Sequence, residues 1–127
     1  MNRQMLRSKL HRISVTECNV EYEGSLTLDP DLMREAGMVP YERIDVYDVD
    51  NANRFSTYLI EGESGGGDCC VNGAAAHLVR VGDKLILASY CVVEDKDVAT
   101  HQPQIVIVGE GNRIKETKRS ERARVRV

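Results

Sequence analysis

Apolar and polar positions alternate with a period of two along much of this chain, in runs too short for anything but small strands. In "ERIDVYDVD" the residues Ile44, Val46 and Asp48 share one parity and Asp45, Tyr47 and Val49 the other, the pattern of a strand with one covered face. "HRISVTECNV", residues 11–20, is rich in β-branched residues, with Ile13 and Val15 facing one way, and predicts a strand. "YEGSLTL" predicts a second extended piece broken at Gly24, and residues 54–61, "RFSTYLIE", a further strand. "CCVNGAAAHLV" predicts a short strand, a turn at Asn72-Gly73 and one or two helical turns from Ala74 to His77. Leu85 to Val93 is apolar without alternation, which predicts a strand covered on both faces. "PQIVIVG" predicts a last strand after Pro103.

Helical pattern is scarce. In "LDPDLMREAGM" Asp29 suits an N-cap and Pro30 the first helical position, while Leu32, Met33 and Ala36 form the apolar stripe and Gly37 stops it. "EDKDVATHQ" predicts another turn of helix, and "ESGGGD" a flexible loop whose glycines contribute little. The loop lacks the Lys-Ser/Thr pair of a phosphate-binding loop. Together these elements make six or seven short strands with two or three short helices. A small barrel or closed sheet accommodates them, since closure removes exposed edges.

The 127 residues suffice for one domain, and a net charge of −3 favours no nucleic-acid partner. One Phe and no Trp leave no aromatic platform for single strands. Charge is uneven. Residues 111–127 carry seven Lys or Arg against two Glu, leaving −8 for residues 1–110. The domain is therefore expected over 1–110, with a basic, disordered tail over 111–127. No run is long enough to cross a bilayer. The basic start "MNRQMLRSKLHR" is not followed by an apolar segment and cleavage site, so a cytoplasmic protein is expected. Cys18, Cys69, Cys70 and Cys91 form no CxxC, and His11, His77 and His101 have no ligand spacing. Neither set predicts a metal site; the cysteines read as buried thiols in a reducing compartment.

Taken singly, the polar residues are ordinary. Gly24-Ser25 is a turn, Thr57 a strand threonine and Tyr58 a packed tyrosine. Lys9 and Arg54 are solvated charges, and "NGAAA" is a small-residue packing surface. In combination they are not ordinary. "MLRSKLHRISVT" (5–16), "YEGS" (22–25), "NRFSTY" (53–58), "VNGAAAH" (71–77) and "VGDKLILASY" (81–90) together resemble the bacterial aspartate 1-decarboxylases, the pyruvoyl-dependent enzymes of pantothenate synthesis. The resemblance spreads over residues 5–90 and is carried by the combination of pieces.

The resemblance implies a double-psi beta-barrel and a homotetramer with active sites where subunits meet. It also implies self-cleavage between Gly24 and Ser25. The Ser25 hydroxyl attacks the Gly24 carbonyl in an N-to-O acyl shift, elimination expels Gly24 as a carboxylate, and hydrolysis leaves a pyruvoyl group and ammonia. Gly24 is expected to let the hydroxyl approach without a Cβ in the way. Thr57 is the implied donor to the oxyanion. The pyruvoyl group forms a Schiff base with L-aspartate and serves as the electron sink, without pyridoxal phosphate or metal. Tyr58 is the implied proton donor, a phenol being protonated at neutral pH. Arg54 is suited to bidentate pairing with a substrate carboxylate, and Lys9 is a second cation. His11 orders Tyr58 or a carboxylate, or plays a structural role. Tyr22, Asn72, Gly73, Ala74, Ala75 and Ala76 line the pocket. An accessory maturation protein stays open. So do two other readings, a non-catalytic binding barrel and a pyruvoyl decarboxylase of another acid such as glutamate. One methylene is worth only about 1–3 kcal/mol of discrimination.

Overall fold

Leu10, Ile13, Leu26, Leu28, Val46, Leu59, Leu85 and Leu87 are wholly buried and meet in one core. The strands that carry them fix the architecture. The computed structural model describes residues 1–122. Nine strands lie among the described residues: β1 (Asn2–Ser14), β2 (Glu17–Asn19), β3 (Ser25–Leu28), β4 (Arg43–Asp48), β5 (Arg54–Glu61), β6 (Cys69–Asn72), β7 (Lys84–Glu94), β8 (Gln104–Val108) and β9 (Ile114–Lys118). They form one mixed sheet in the order β2-β6-β3-β5-β4-β7-β1-β8-β9. The β1–β8, β2–β6 and β3–β5 pairs are parallel, and the other pairs are antiparallel. The protein is mainly β with a few short helices.

β4 and β5 occupy the expected positions, and Ile44, Val46 and Asp48 are the buried parity of β4. Helix α1 (Pro30–Ala36) begins on Asp29, whose carboxylate accepts from the Asp31 N–H at 2.8 Å. It ends at Gly37 with φ +68°, the left-handed cap a Cβ would oppose. Helix α2 (Asp95–Val98) is the predicted turn of helix, and Gly73–His77 forms a 3₁₀ segment.

Four expectations need correction. The first concerns β1, which starts at Asn2 rather than near residue 11 and has 13 residues. Its register with β7 shifts between Leu6 and Ser8 and between His11 and Ile13, and Arg12 takes φ +70°. Such bulges break the period-two signal; here Leu10 and Ile13 are both buried although three residues apart. Second, β7 is covered on both faces only in part. Leu87 to Ser89 are buried, but Tyr90 to Glu94 are not. Third, the "ESGGGD" loop is tied down, with the Gly65 and Gly67 N–H groups donating to the Asp29 carboxylate at 3.1 and 2.9 Å.

Fourth, the basic tail expected over 111–127 contains β9, which pairs antiparallel with β8. Thr117 Oγ1 donates to Glu35 Oε2 at 2.7 Å, and Arg119 donates to Gln102 and Gln104. The last five residues of that tail, 123–127, lie outside the described residues. Cys18, Cys69, Cys70 and Cys91 are free thiols; burial pushes Cys69, Cys70 and Cys18 up from the usual range. Among the described residues no helix is long and apolar enough to cross a membrane.

Candidate active site

Ser25 opens β3, just after a bend, and is 3% exposed. Two neighbours hold it: β5 runs parallel on one side and β6 antiparallel on the other, with Ser25 opposite Asn72. That register delivers the Asn72 side chain to the serine. Its Nδ2 donates to Ser25 Oγ at 3.2 Å and to Thr27 Oγ1 at 3.0 Å. The Ser25 hydroxyl donates back to the Glu23 carbonyl at 3.4 Å, which aims it toward the peptide that precedes it. Asn72 Oδ1 is buried with no donor, an unfilled acceptor beside the serine and costly to leave so.

Glycine matters here at Gly73 rather than Gly24. A Cβ on Gly24 meets open space, whereas one on Gly73 would sit 2.6 Å from the Gly24 Cα and 2.8 Å from its nitrogen. Gly73 also has φ +71°. Gly73 lets the β6 turn press against the Gly24 backbone.

A cavity of about 370 Å³ lies over this junction, lined among others by Tyr22, Ser25, Thr27, Tyr41, Tyr58 and Asn72. Tyr58 stacks on Tyr41 with ring centroids 6.3 Å apart and planes at 26°. Tyr41 takes φ +70°, and its N–H donates to the Leu59 carbonyl at 2.7 Å. Thr57 faces away from this cavity with Leu59, one parity off Tyr58. The β3–β5 pairing begins with Leu26 opposite Leu59, two residues after Gly24 and Thr57 respectively. Of the three alanines, Ala76 is buried, Ala75 half-buried and Ala74 exposed.

Arg54, Lys9 and His11 are not brought to Ser25 within one chain. Arg54 lies over the Tyr47 ring at 4.3 Å and lines a separate cavity with Tyr47, Asp45 and Ser56. Tyr47 Oη shares a hydrogen bond with Tyr90 Oη at 2.8 Å. That bond and burial push the Tyr47 phenol up to about 12, so the ring under Arg54 stays neutral. Lys9 and His11 are on β1, and β5, β4 and β7 separate them from β3. Lys9 Nζ is 2.6 Å from the Glu121 carboxylate. His11 Nδ1 is buried without a partner, and burial followed by the Lys9 and Arg12 charges holds its pKa below the usual value.

The comparisons decide what this junction belongs to. The family described as "Aspartate decarboxylase" matches residues 1–115. The chain belongs to the aspartate decarboxylase family. It is 51% identical over 118 residues to an aspartate 1-decarboxylase of Ralstonia nicotianae, covering 93% of this chain and 98% of the relative. An aspartate 1-decarboxylase of Legionella pneumophila is 48% identical over 116 residues, covering 91% and 87%. One of Caldicellulosiruptor saccharolyticus is 48% identical over 111 residues, covering 87% of each.

Thr27 and Tyr41 are among the cavity residues to which the sequence analysis assigns no part. Thr27 shares the face of Ser25 two positions on, so the period of the strand was a signal for it. Tyr41 follows Pro40 in a loop, and only the fold shows that its ring meets Tyr58.

Proposed function

We propose that this chain cuts its own Gly24–Ser25 bond and that the matured protein converts L-aspartate to β-alanine and carbon dioxide in pantothenate synthesis. One observation carries the reading. A buried serine, held by Asn72 at the mouth of a cavity shared with Tyr58, follows Gly24 in a chain of the aspartate decarboxylase family. Ser25 Oγ attacks the Gly24 carbonyl carbon, and the C–N bond is exchanged for an ester. Loss of the Ser25 α-proton expels Gly24 as a carboxylate. Water then displaces the nitrogen as ammonia, leaving a pyruvoyl group on the new N-terminus.

The residues present fit that group. Asn72 offers a donor at the Ser25 position, and its orphan Oδ1 is an acceptor that a substrate ammonium can satisfy. The pyruvoyl group supplies a covalently held ketone that takes the substrate amine and draws off the electrons released with carbon dioxide. Thr57 donates to the oxyanion during cleavage, and Tyr58 holds a proton on Oη for the carbon left after decarboxylation. Arg54 pairs with a substrate carboxylate through its fork, Lys9 adds a second positive charge and His11 orients the polar groups nearby. Tyr22, Gly73 and Ala74 to Ala76 wall the pocket.

The whole reading includes a closed double-psi barrel, a cytoplasmic homotetramer and sites shared between subunits. Sharing accounts for Arg54, Lys9 and His11 lying apart from Ser25 in one chain. An accessory protein that hastens maturation belongs to the same reading.

Intact mass under denaturing conditions tests it. After incubation at physiological temperature, fragments 1–24 and 25–127 are expected, the larger lighter by one ammonia than a serine-started chain. Ser25→Ala is expected to stay whole. Cleavage of that variant at the same bond would overturn the role of Ser25.

A further inference from the structure

Away from Ser25, three carboxylates converge where β4 turns into β5 and where β7 begins. One oxygen from each of Asp48, Asp50 and Asp83 lies within 4.8 Å of the other two. Asp48, at the end of β4, is 3% exposed. Its Oδ1 accepts from the Asp50 and Asn51 N–H groups at 2.8 and 3.2 Å, closing the turn. Its Oδ2 is buried and has no donor. Asp83 Oδ2 accepts from the Arg80 N–H at 3.0 Å, and Asp50 Oδ2 from the Lys84 N–H at 2.8 Å. Among the described residues none of the three acids makes an ion pair. The Lys84 ammonium donates instead to Ser14 Oγ.

Buried and without a donor, Asp48 Oδ2 is an acceptor that a positive charge can satisfy. We propose that Asp48, Asp50 and Asp83 bind a hard divalent cation, clamping the β4–β5 turn to the start of β7.

An all-oxygen ligand set selects a hard cation. Calcium takes oxygens at about 2.3–2.6 Å, so ligands on opposite sides of one ion stand roughly 5 Å apart. Oxygens that lie within 4.8 Å of one another can share one such ion. Asp50 and Asp83 also line an open cavity of about 390 Å³ beside Asn51, Asn53 and His77. Water enters there to complete a coordination number that three carboxylates leave short. The site is structural: its cavity shares no lining residue with the one over Ser25, and decarboxylation itself needs no metal.

The test is thermal melting of the full-length protein, freed of metal by chelation and then titrated separately with calcium and magnesium. Calcium is expected to raise the melting temperature by several degrees. The rise should begin near the dissociation constant and grow with the logarithm of concentration above it; a rise with magnesium supports the site equally. Asp48→Asn keeps the Oδ1 acceptor and offers Asp83 an amide donor, so it is expected to fold and lose the response. Asp50→Asn, at an exposed position, tests the same point should Asp48→Asn misfold. An unchanged melt of the wild type at millimolar calcium and at millimolar magnesium would overturn the site and leave a shared Asp48–Asp83 proton in its place. A response retained by both variants would overturn it equally.

Discussion

At the scale of single residues, the site rests on contacts that have no slack. Ser25 Oγ receives Asn72 Nδ2 on one side and reaches Glu23 O on the other, so its lone pairs and its proton are both directed. Gly73 keeps the β6 turn in place against the Gly24 backbone. Gly73→Ala therefore carries two penalties. A left-handed φ of +71° costs an L-residue about 1–2 kcal/mol, and the new Cβ, 2.6 Å from the Gly24 Cα, forces one of the two segments away. The variant is expected to melt lower than wild type and to cleave more slowly, since the clash falls on Gly24, beside the bond proposed to be cut. A cleavage time course on denaturing gels, run beside a melt, reads both effects. Wild-type cleavage at an unchanged melting temperature would show that the close approach constrains nothing.

At the scale of elements, legibility followed the burial pattern. β4 could be read because one face is buried and the other is not, β5 because half-buried Phe55 and Thr57 and buried Leu59 alternate with exposed Arg54, Ser56 and Tyr58, and α1 because its caps are local chemistry at Asp29 and Gly37. β1 was half hidden because its two register shifts change parity within the strand. β9 was hidden altogether. Ile114 to Glu116 are exposed, so "IKETK" has no apolar period to betray a strand, and its order comes from β8 and from the bonds of Thr117 and Arg119. β1 also places Lys9 and His11 side by side in charge. The folded protein holds His11 below its ordinary value of 6.5, so the unfolded chain binds more protons as pH falls through that window. Stability tied to His11 is thus complete above about 6.5 and is lost as pH drops toward the depressed folded value. Melting temperature is expected to fall over that range, and His11→Gln to flatten part of the slope. Parallel pH profiles for the two proteins would remove His11 from the acid response.

At the scale of the whole molecule, the motifs named the residues but not their grouping, because grouping is set by sheet order, which no local pattern records. Tyr58 and Asn72 reach Ser25 through strands next to β3, whereas Lys9 and His11 are three strands further off. Arg54 is four residues before Tyr58 on β5, roughly 13 Å along a strand, and faces a different cavity. If a neighbouring subunit supplies Arg54, two inactive variants should rescue each other. Ser25→Ala has no reactive group but an intact Arg54; Arg54→Ala matures but lacks the carboxylate partner. Mixed assemblies made by co-expression would contain sites that join the Ser25 of one subunit to the Arg54 of the next. Decarboxylase activity in the purified mixture, absent from either variant alone, is the expected outcome. A mixture as inactive as its parents, with both chains shown by mass to share assemblies, would place Arg54 and Ser25 in the same subunit. It would then require β5 to move Arg54 toward the Ser25 cavity when substrate binds.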